Sequence, residues 1–143
     1  MKILAVLLVL ATLIGGGTTG FAAEKQITVW MSPTCGCCEG WATYLQHNGY
    51  KVKTVKVDDV DQIKMLLGVP PSMQSCHTAR IDGYVVEGHV PVQAIDWLLK
   101  ERPRVTGIAS PGMPSGAPGM EGPKEDNVVH TFGPNGSSVV GRY

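Results

Sequence analysis

Three of the four cysteines of this chain fall within four residues, in the run Cys35-Gly36-Cys37-Cys38. Neighbouring cysteines such as Cys37 and Cys38 bridge one another only with backbone strain, and a bridge from Cys35 to Cys37 would close a very small ring. A disulfide framework stabilises a fold mainly by closing long loops, and this arrangement closes almost none. The sequence therefore predicts a fold held together by a hydrophobic core, in which the thiols serve metal or redox chemistry.

The hydrophobic pattern alternates between the period of a strand and the period of a helix. The predicted elements are, in order, a strand at Gln26–Met31, a helix from about Cys38 to Asn48, a strand around Val52–Val57, a helix from Asp59 to Gly68, strands at about Ser75–Ile81 and Tyr84–Glu87, and a helix from Pro91 to Pro103. This β-α-β-α-β-β-α order, with a hairpin turn at Asp82-Gly83, predicts an α/β fold of the thioredoxin-like arrangement.

The second predicted helix begins with a capping signal. Asp59 followed by Gln62 resembles a capping box, in which the aspartate side chain accepts a hydrogen bond from the backbone three residues on. A helix cap and a solvated turn also explain the acidic residues around Asp59 better than a hard-metal site does. The apolar residues predicted to face the core are Val60, Ile63, Leu66 and Leu67.

Residues 106–126 are rich in Gly, Pro, Ser and Met and follow neither period, which predicts a loop draped over the domain or a flexible tail. Val128–Phe132 and Val139–Tyr143 flank the turn residues 133–136, which predicts a terminal hairpin over residues 127–143 packed on the domain. We therefore expect a thioredoxin-like metal-binding domain at 23–105, then the loop at 106–126, then the hairpin.

The first 22 residues have the pattern of a secretory signal peptide. A short basic start precedes the apolar run Ile3–Ile14, and Gly20-Phe21-Ala22 offers small residues at the two positions that a signal peptidase reads. The run is shorter than the roughly 20 residues that span a bilayer, so an uncleaved anchor is the less favoured alternative. We expect an exported, periplasmic chain that starts near Ala23 or Glu24 and has no membrane attachment after cleavage.

The charge of the chain bears on its partners. It has 12 basic and 12 acidic side chains, and signal cleavage would remove only Lys2 from this balance. A nearly neutral surface without basic clusters argues against nucleic acid as a partner.

The spacing of Cys35 and Cys38 is that of the reactive pair in a thioredoxin-like fold. A helix start presents free N–H groups and the positive end of the helix dipole, which favour thiolate over thiol. A third thiol, Cys37, invites unwanted disulfides in a dithiol exchanger, whereas Cu(I) gains from every thiolate offered. Cys76 lies beyond the second helix, near the first helix start in such a fold. The pattern favours a multinuclear copper site, with a single tetrahedral zinc as the weaker alternative.

Four further residues are candidate ligands. His77 follows Cys76, but successive strand side chains face opposite sides, so its role stays open. His89 is either a donor behind the ligands or a turn residue, and the turn residue is favoured. Met113 and Met120 carry thioethers, which are soft ligands for Cu(I), or fill gaps where the segment packs on the core.

Several motifs together resemble the DUF411 family, which includes the CopG-type periplasmic copper-handling (copper-resistance) proteins. The motifs, in order, are Cys35-Gly-Cys-Cys-Glu-Gly-Trp41, Leu67-Gly-Val-Pro70, Met73-Gln-Ser-Cys-His-Thr78, Gly83-Tyr-Val-Val-Glu-Gly-His-Val-Pro91 and Pro111-Gly-Met-Pro114. The resemblance implies a thioredoxin-like fold and copper bound by the motif cysteines, including a cysteine-bridged multicopper cluster. It also leads us to expect a cis bond at Val69-Pro70 or Pro70-Pro71. It does not establish an enzymatic activity.

Two functions follow as hypotheses. The first is an exported copper-binding protein that holds Cu(I) through Cys35, Cys37, Cys38 and Cys76 for copper tolerance by sequestration, transfer or redox conversion. Its partners would be copper ions and another periplasmic copper-handling protein. The alternative is a periplasmic thiol–disulfide oxidoreductase that uses Cys35 and Cys38. Whether the protein is a copper- or thiol-dependent oxidoreductase stays open.

Overall fold

The computed structural model describes residues 25–143 as one seven-stranded sheet with three α-helices. The predicted signal peptide lies outside the described residues. The elements are β1 (Gln26–Met31), α1 (Gly36–His47), β2 (Lys51–Lys56), α2 (Val60–Leu66), β3 (Thr78–Ile81), β4 (Tyr84–Glu87), α3 (Val92–Glu101), β5 (Gly107–Ala109), β6 (Val128–Phe132) and β7 (Val139–Arg142). Over residues 25–143, none of the helices has the length and apolar character needed to cross a bilayer.

The sheet has the order β2-β1-β3-β4-β5-β6-β7. β1 and β2 are parallel, as expected when a helix connects them, whereas β3 is antiparallel to both β1 and β4. The predicted α/β fold of the thioredoxin-like arrangement is confirmed in these first four strands and three helices. β1 lies between β2 and β3, so its carboxyl end, where the cysteine run begins, is flanked by strands on both sides.

Two local sequence signals form the structures that they predicted, a hairpin turn and a helix cap. Asp82 and Gly83 both adopt positive φ, 48° and 86°, which is the conformation of the two-residue turn that matches the twist of a hairpin. The Asp59 side chain accepts a hydrogen bond from the Gln62 N–H at 3.0 Å and so caps α2.

The predicted buried face of α2 is wrong at one position. Leu66 is 77% exposed, and the buried member of this helix is Lys64, at 1% exposure. The helix has seven residues, and the stripe that faces the sheet recurs at positions 60, 63, 64 and 67, the spacing of one helical face. Lys64 therefore lies in the interior, whereas Leu66, which the sequence predicted to be buried, faces solvent.

The segment after residue 106 is not entirely loop. Gly107–Ala109 forms β5, which pairs in parallel with β4 and is fully buried. A Cβ at Gly107 would overlap the Val85 carbonyl, so the glycine allows this close approach. This strand of three residues is too short to show the alternating hydrophobicity of a strand, so the sequence pattern did not predict it. The terminal hairpin is confirmed, and it extends the same sheet through β6 and β7.

The expected cis proline is also wrong: among the described residues every peptide bond is trans. Pro70 is extended, with φ −63° and ψ 143°, and leads into a single 3-10 turn at Pro71–Met73. A trans proline with its fixed φ suits the first position of such a turn. This turn leads into residues 74–77, which we name the Cys76 loop and which connect it to β3.

Candidate metal centre

The cysteine run begins at the end of the connection between β1 and α1 and continues into the first turn of α1. Cys35 is the N-cap of α1, with the extended values φ −82° and ψ 95°. Its N–H donates to the Ser32 carbonyl at 3.3 Å, and its own carbonyl accepts from the Glu39 N–H at 3.2 Å. Cys37 and Cys38 lie in the first turn of the helix, where unpaired N–H groups favour anionic sulfur.

All four cysteine sulfurs meet at this point, within 4.8 Å of one another. Cys35 and Cys38 form a disulfide, with an S–S distance of 2.04 Å. The Cys37 Sγ lies 3.5 Å from the Cys35 Sγ and 3.7 Å from the Cys76 Sγ. The predicted convergence of Cys76 on the start of α1 is therefore observed. In this state two sulfurs are joined covalently, and Cys37 and Cys76 are the free thiols.

Cys76 also belongs to a second group of donors, formed with His77 and His89. The Cys76 Sγ lies 3.5 Å from the His77 Nδ1 and 3.0 Å from the His89 Nε2. The strand alternation that counted against His77 does not apply, because Cys76 and His77 precede β3. One thiol is thus shared by a group of four sulfurs and a group with two imidazoles.

The structure places His89 against the cluster, whereas the sequence favoured a turn residue. Its Nδ1 donates a hydrogen bond to the Pro118 carbonyl at 2.8 Å. A neutral imidazole with its proton on Nδ1 carries a lone pair on Nε2, which is the nitrogen that faces Cys76. The carbonyl therefore sets the tautomer that can accept a thiol proton or bind a metal. No local sequence signal indicates this contact, because Pro118 lies 29 residues away.

Burial sets the protonation of Cys76, His77 and His89. It raises the pKa of the Cys76 thiol to about 12, and the neighbouring Cys37 adds to the rise. It lowers the pKa of His89, and it lowers the pKa of His77 well below 6.5. The imidazoles are therefore neutral near pH 7, which is the form that binds metals. The Cys76 thiol keeps its proton near pH 7, so any metal that binds this sulfur has to displace the proton.

We name residues 111–123 the cover segment, because they close over the start of α1. Gly119, at φ 82°, packs so tightly that a Cβ there would lie 2.8 Å from the Cys37 carbonyl oxygen. Gly112 is tied to the Cys76 loop, since its N–H donates to the Gln74 carbonyl and its carbonyl accepts from the Ser75 hydroxyl. Of the two predicted arrangements, the draped loop is the one observed.

The two candidate methionines of this segment lie apart from one another. Met113 is 57% exposed and lines a surface cavity of about 400 Å³ together with His130 of β6. None of the cysteines lines that cavity. Met120 is half-buried and directly follows Gly119. Copper binding by either thioether stays a prediction.

An ion pair that the sequence did not predict lies next to the Cys76 loop. The Lys64 Nζ donates to the Glu87 Oε1 at 2.5 Å, and both side chains are buried. The same carboxylate oxygen accepts from the Ser75 N–H at 2.7 Å. A lysine on a short helix is usually solvated, so the available signal was Glu87 itself, an acidic residue in the otherwise apolar β4.

The buried imidazole predicts a pH dependence for the stability of the metal-free protein. Between the lowered pKa of His77 and 6.5, the unfolded chain binds a proton that the folded chain does not. The free energy of unfolding should therefore rise with pH through this window and level off above 6.5. Chemical denaturation of the wild type and of His77→Gln at several pH values measures this. A slope no steeper in the wild type than in the variant would contradict the prediction.

Comparison with known proteins gives both a family and a structural match. The family profile described as "Protein of unknown function, DUF411" matches residues 73–120, the part of the chain that contains Cys76, His77 and His89. Two solved structures described as copper resistance protein CopG, form 1 and form 2, each superpose with a TM-score of 0.79 at 43% sequence identity. Each alignment covers 84% of this chain and 98% of the other. No curated protein matches the sequence.

Proposed function

Because this chain belongs to the DUF411 family of CopG-type copper-resistance proteins, we propose that it binds Cu(I) at the cysteine cluster. The ligands would be the four cysteines, with His77 and His89 completing the donor set on the side of Cys76. The function would be copper tolerance in the periplasm, by sequestration, transfer or redox conversion. A periplasmic copper-handling protein would be the partner that supplies or receives the ions.

The observation that carries this proposal is the convergence of four sulfurs within 4.8 Å of one another at a helix start. Soft thiolate sulfur favours Cu(I), whereas carboxylate and carbonyl oxygens suit harder ions. The described residues place no carboxylate in either donor group. Cys37 and Cys38 are adjacent and cannot both approach one ion at good geometry, so sulfurs that bridge several copper ions fit this arrangement better than one tetrahedral ion.

The disulfide adds a redox requirement to the proposal. Cys35 and Cys38 can bind copper as thiolates only after a thiol reductant has reduced their disulfide, which takes two electrons and two protons and yields two thiols. In the disulfide form, Cys37, Cys76, His77 and His89 are the donors that remain. Copper capacity should therefore depend on the thiol redox state, with the reduced protein binding more copper than the oxidised one.

The disulfide also favours a second candidate function, thiol–disulfide exchange by Cys35 and Cys38. The pair lies at the start of α1, where a nucleophilic thiolate is stabilised. This function predicts turnover of a disulfide substrate that requires Cys35 and Cys38 and survives substitution of Cys37 and Cys76. Copper binding predicts instead that substitution of any of the four cysteines lowers the bound copper.

A metal titration tests the proposal. The mature protein is reduced, titrated anaerobically with Cu(I), and assayed for bound copper per chain by elemental analysis, with Zn(II) as the control metal. We expect several copper ions per reduced chain and fewer in the disulfide form. Little copper in the reduced protein would overturn the proposal. Tight zinc binding with unfolding upon chelation would indicate a structural zinc site.

Export is tested independently by locating the mature protein. We expect it in the periplasmic fraction, with an N-terminus near Ala23 or Glu24 when sequenced. Recovery of the full-length chain in the cytoplasm would contradict this part of the proposal.

A further inference from the structure

We propose that Lys64 and Glu87 form a positioning pair, in which the buried Glu87 carboxylate fixes the Cys76 and His89 donors relative to one another. The inference rests on the proposed copper function for its purpose, but its geometry is independent of that function. Neither residue belongs to the two donor groups.

Burial of the Lys64–Glu87 ion pair carries a desolvation penalty. The Lys64 and Glu87 side chains are 2% and 0% exposed, so both charges are removed from water. Replacing a buried ion pair of this kind with apolar residues is often neutral or stabilising. Stability is therefore a weak explanation for placing a lysine and a glutamate in the interior of a small domain.

The Glu87 carboxylate joins two chain segments that carry candidate ligands. One oxygen of Glu87 accepts from the Lys64 ammonium and also from the backbone N–H of Ser75. Ser75 directly precedes Cys76, and Glu87 lies two residues before His89. A single carboxylate thus connects the two chain segments whose side chains meet at the 3.0 Å contact between the Cys76 Sγ and the His89 Nε2.

The two segments are packed closely where they cross, so neither can shift without the other. The Gly88 N–H donates to the His77 carbonyl at 3.1 Å. A Cβ at Gly88 would lie 2.6 Å from the Ser75 Cβ and 2.6 Å from the Ser110 carbonyl oxygen. The two segments are therefore in direct contact at Gly88, and a shift of the Ser75 backbone moves Cys76 against His89.

The role of Lys64 follows from that of Glu87. The second carboxylate oxygen, Oε2, is buried and has no hydrogen-bond partner among residues 25–143. Without the ammonium, the carboxylate would lose one of the two donors that orient Oε1 and would be free to turn away from the Ser75 N–H. Lys64 therefore holds the Glu87 carboxylate pointed at the Ser75 N–H, and it acts on the copper ligands through Glu87.

Two double variants separate positioning from charge burial. Both Lys64→Met/Glu87→Gln and Lys64→Met/Glu87→Leu remove the ion pair, but only the glutamine retains an acceptor for the Ser75 N–H. Cu(I) affinity is measured by competition with a chelator of known affinity. Loss of a group that orients a metal ligand typically lowers metal affinity by about 10–100-fold, so we expect such a loss for the leucine variant and rescue by the glutamine variant.

A second readout needs no copper. In a Cys37→Ser background with the Cys35–Cys38 disulfide intact, Cys76 is the one free thiol of the four cysteines. Its alkylation rate by iodoacetamide reports how firmly the loop is held. We expect faster alkylation in Glu87→Leu, which removes the acceptor of the Ser75 N–H, than in Glu87→Gln, which keeps one. Both variants are compared in the Lys64→Met background.

Equal copper affinity and equal alkylation rates in the two folded double variants would overturn the proposal. If the leucine variant does not fold, Glu87→Met in the same Lys64→Met background also removes the acceptor of the Ser75 N–H, and it keeps an unbranched side chain of similar length. A wild type that binds no copper would refute the copper function, while the alkylation rates would still decide the positioning role.

Discussion

Replacement of Cys76 with serine is expected to cause the largest loss of copper among the single cysteine variants. Its sulfur is common to both donor groups, at 3.7 Å from the Cys37 Sγ and 3.0 Å from the His89 Nε2. A hydroxyl is a harder and far less acidic donor than a thiol, so it does not replace thiolate for Cu(I). We expect Cys76→Ser to abolish stoichiometric Cu(I) binding under reducing, anaerobic conditions.

Cys37→Ser is the matched comparison, because Cys37 belongs to the sulfur group alone. It should lower the number of copper ions per chain and leave the donors around His89 in place. His47→Ala, at the exposed end of α1, serves as the control that should bind as the wild type does. Elemental analysis of the three variants gives the ranking. A Cys76→Ser protein with full copper content would show that the two groups do not share this ligand.

Gly119→Ala is expected to cause the largest loss of stability among single glycine substitutions in the cover segment. An L-residue at φ 82° is strained by about 1–2 kcal/mol, and the new Cβ would collide with the backbone of Trp41 and Cys37. Overpacking adds about 1–3 kcal/mol. The free energy of unfolding, measured by chemical denaturation, should fall by the sum of both effects. Copper affinity should fall as well, because displacement of Pro118 removes the acceptor of the His89 Nδ1–H.

Gly112→Ala is the control within the same segment. Gly112 has a similar backbone conformation, φ 71°, but a Cβ there would meet nothing within 4 Å. This variant should lose only the conformational part, about 1–2 kcal/mol, and keep its copper affinity. Equal losses in the two variants would mean that the cover segment is not seated on α1 in solution.

The parts of the fold that local chemistry determines could be predicted from the sequence. β1 and β4 have the predicted bounds, and the Asp82-Gly83 turn and the Asp59 cap form as their residue types require. The meeting of Cys76 with the cysteine run was also predictable, because the strand order of a thioredoxin-like fold places β3 beside β1.

The remaining features depend on contacts between distant segments. Lys64 of α2 is buried because Glu87 of β4 supplies a counter-charge, and no pattern within α2 indicates that partner. His89 faces the cluster because the Pro118 carbonyl holds its ring. β5 forms because Gly107 admits the backbone of β4. In each case the structure depends on a contact with a residue distant in sequence, and the hydrophobic periodicity of a short segment does not indicate such a contact.

The strands that follow the thioredoxin-like part have a consequence for association between chains. β4 would otherwise end the sheet and expose a row of unpaired N–H and C=O groups, which readily template a strand from another molecule. β5, β6 and β7 occupy that side and move the free edge to β7, a strand of four residues. The opposite edge, β2, carries Lys51, Lys53 and Lys56, and lysines on an edge disfavour such pairing. Both borders of the sheet therefore resist edge-to-edge association between chains.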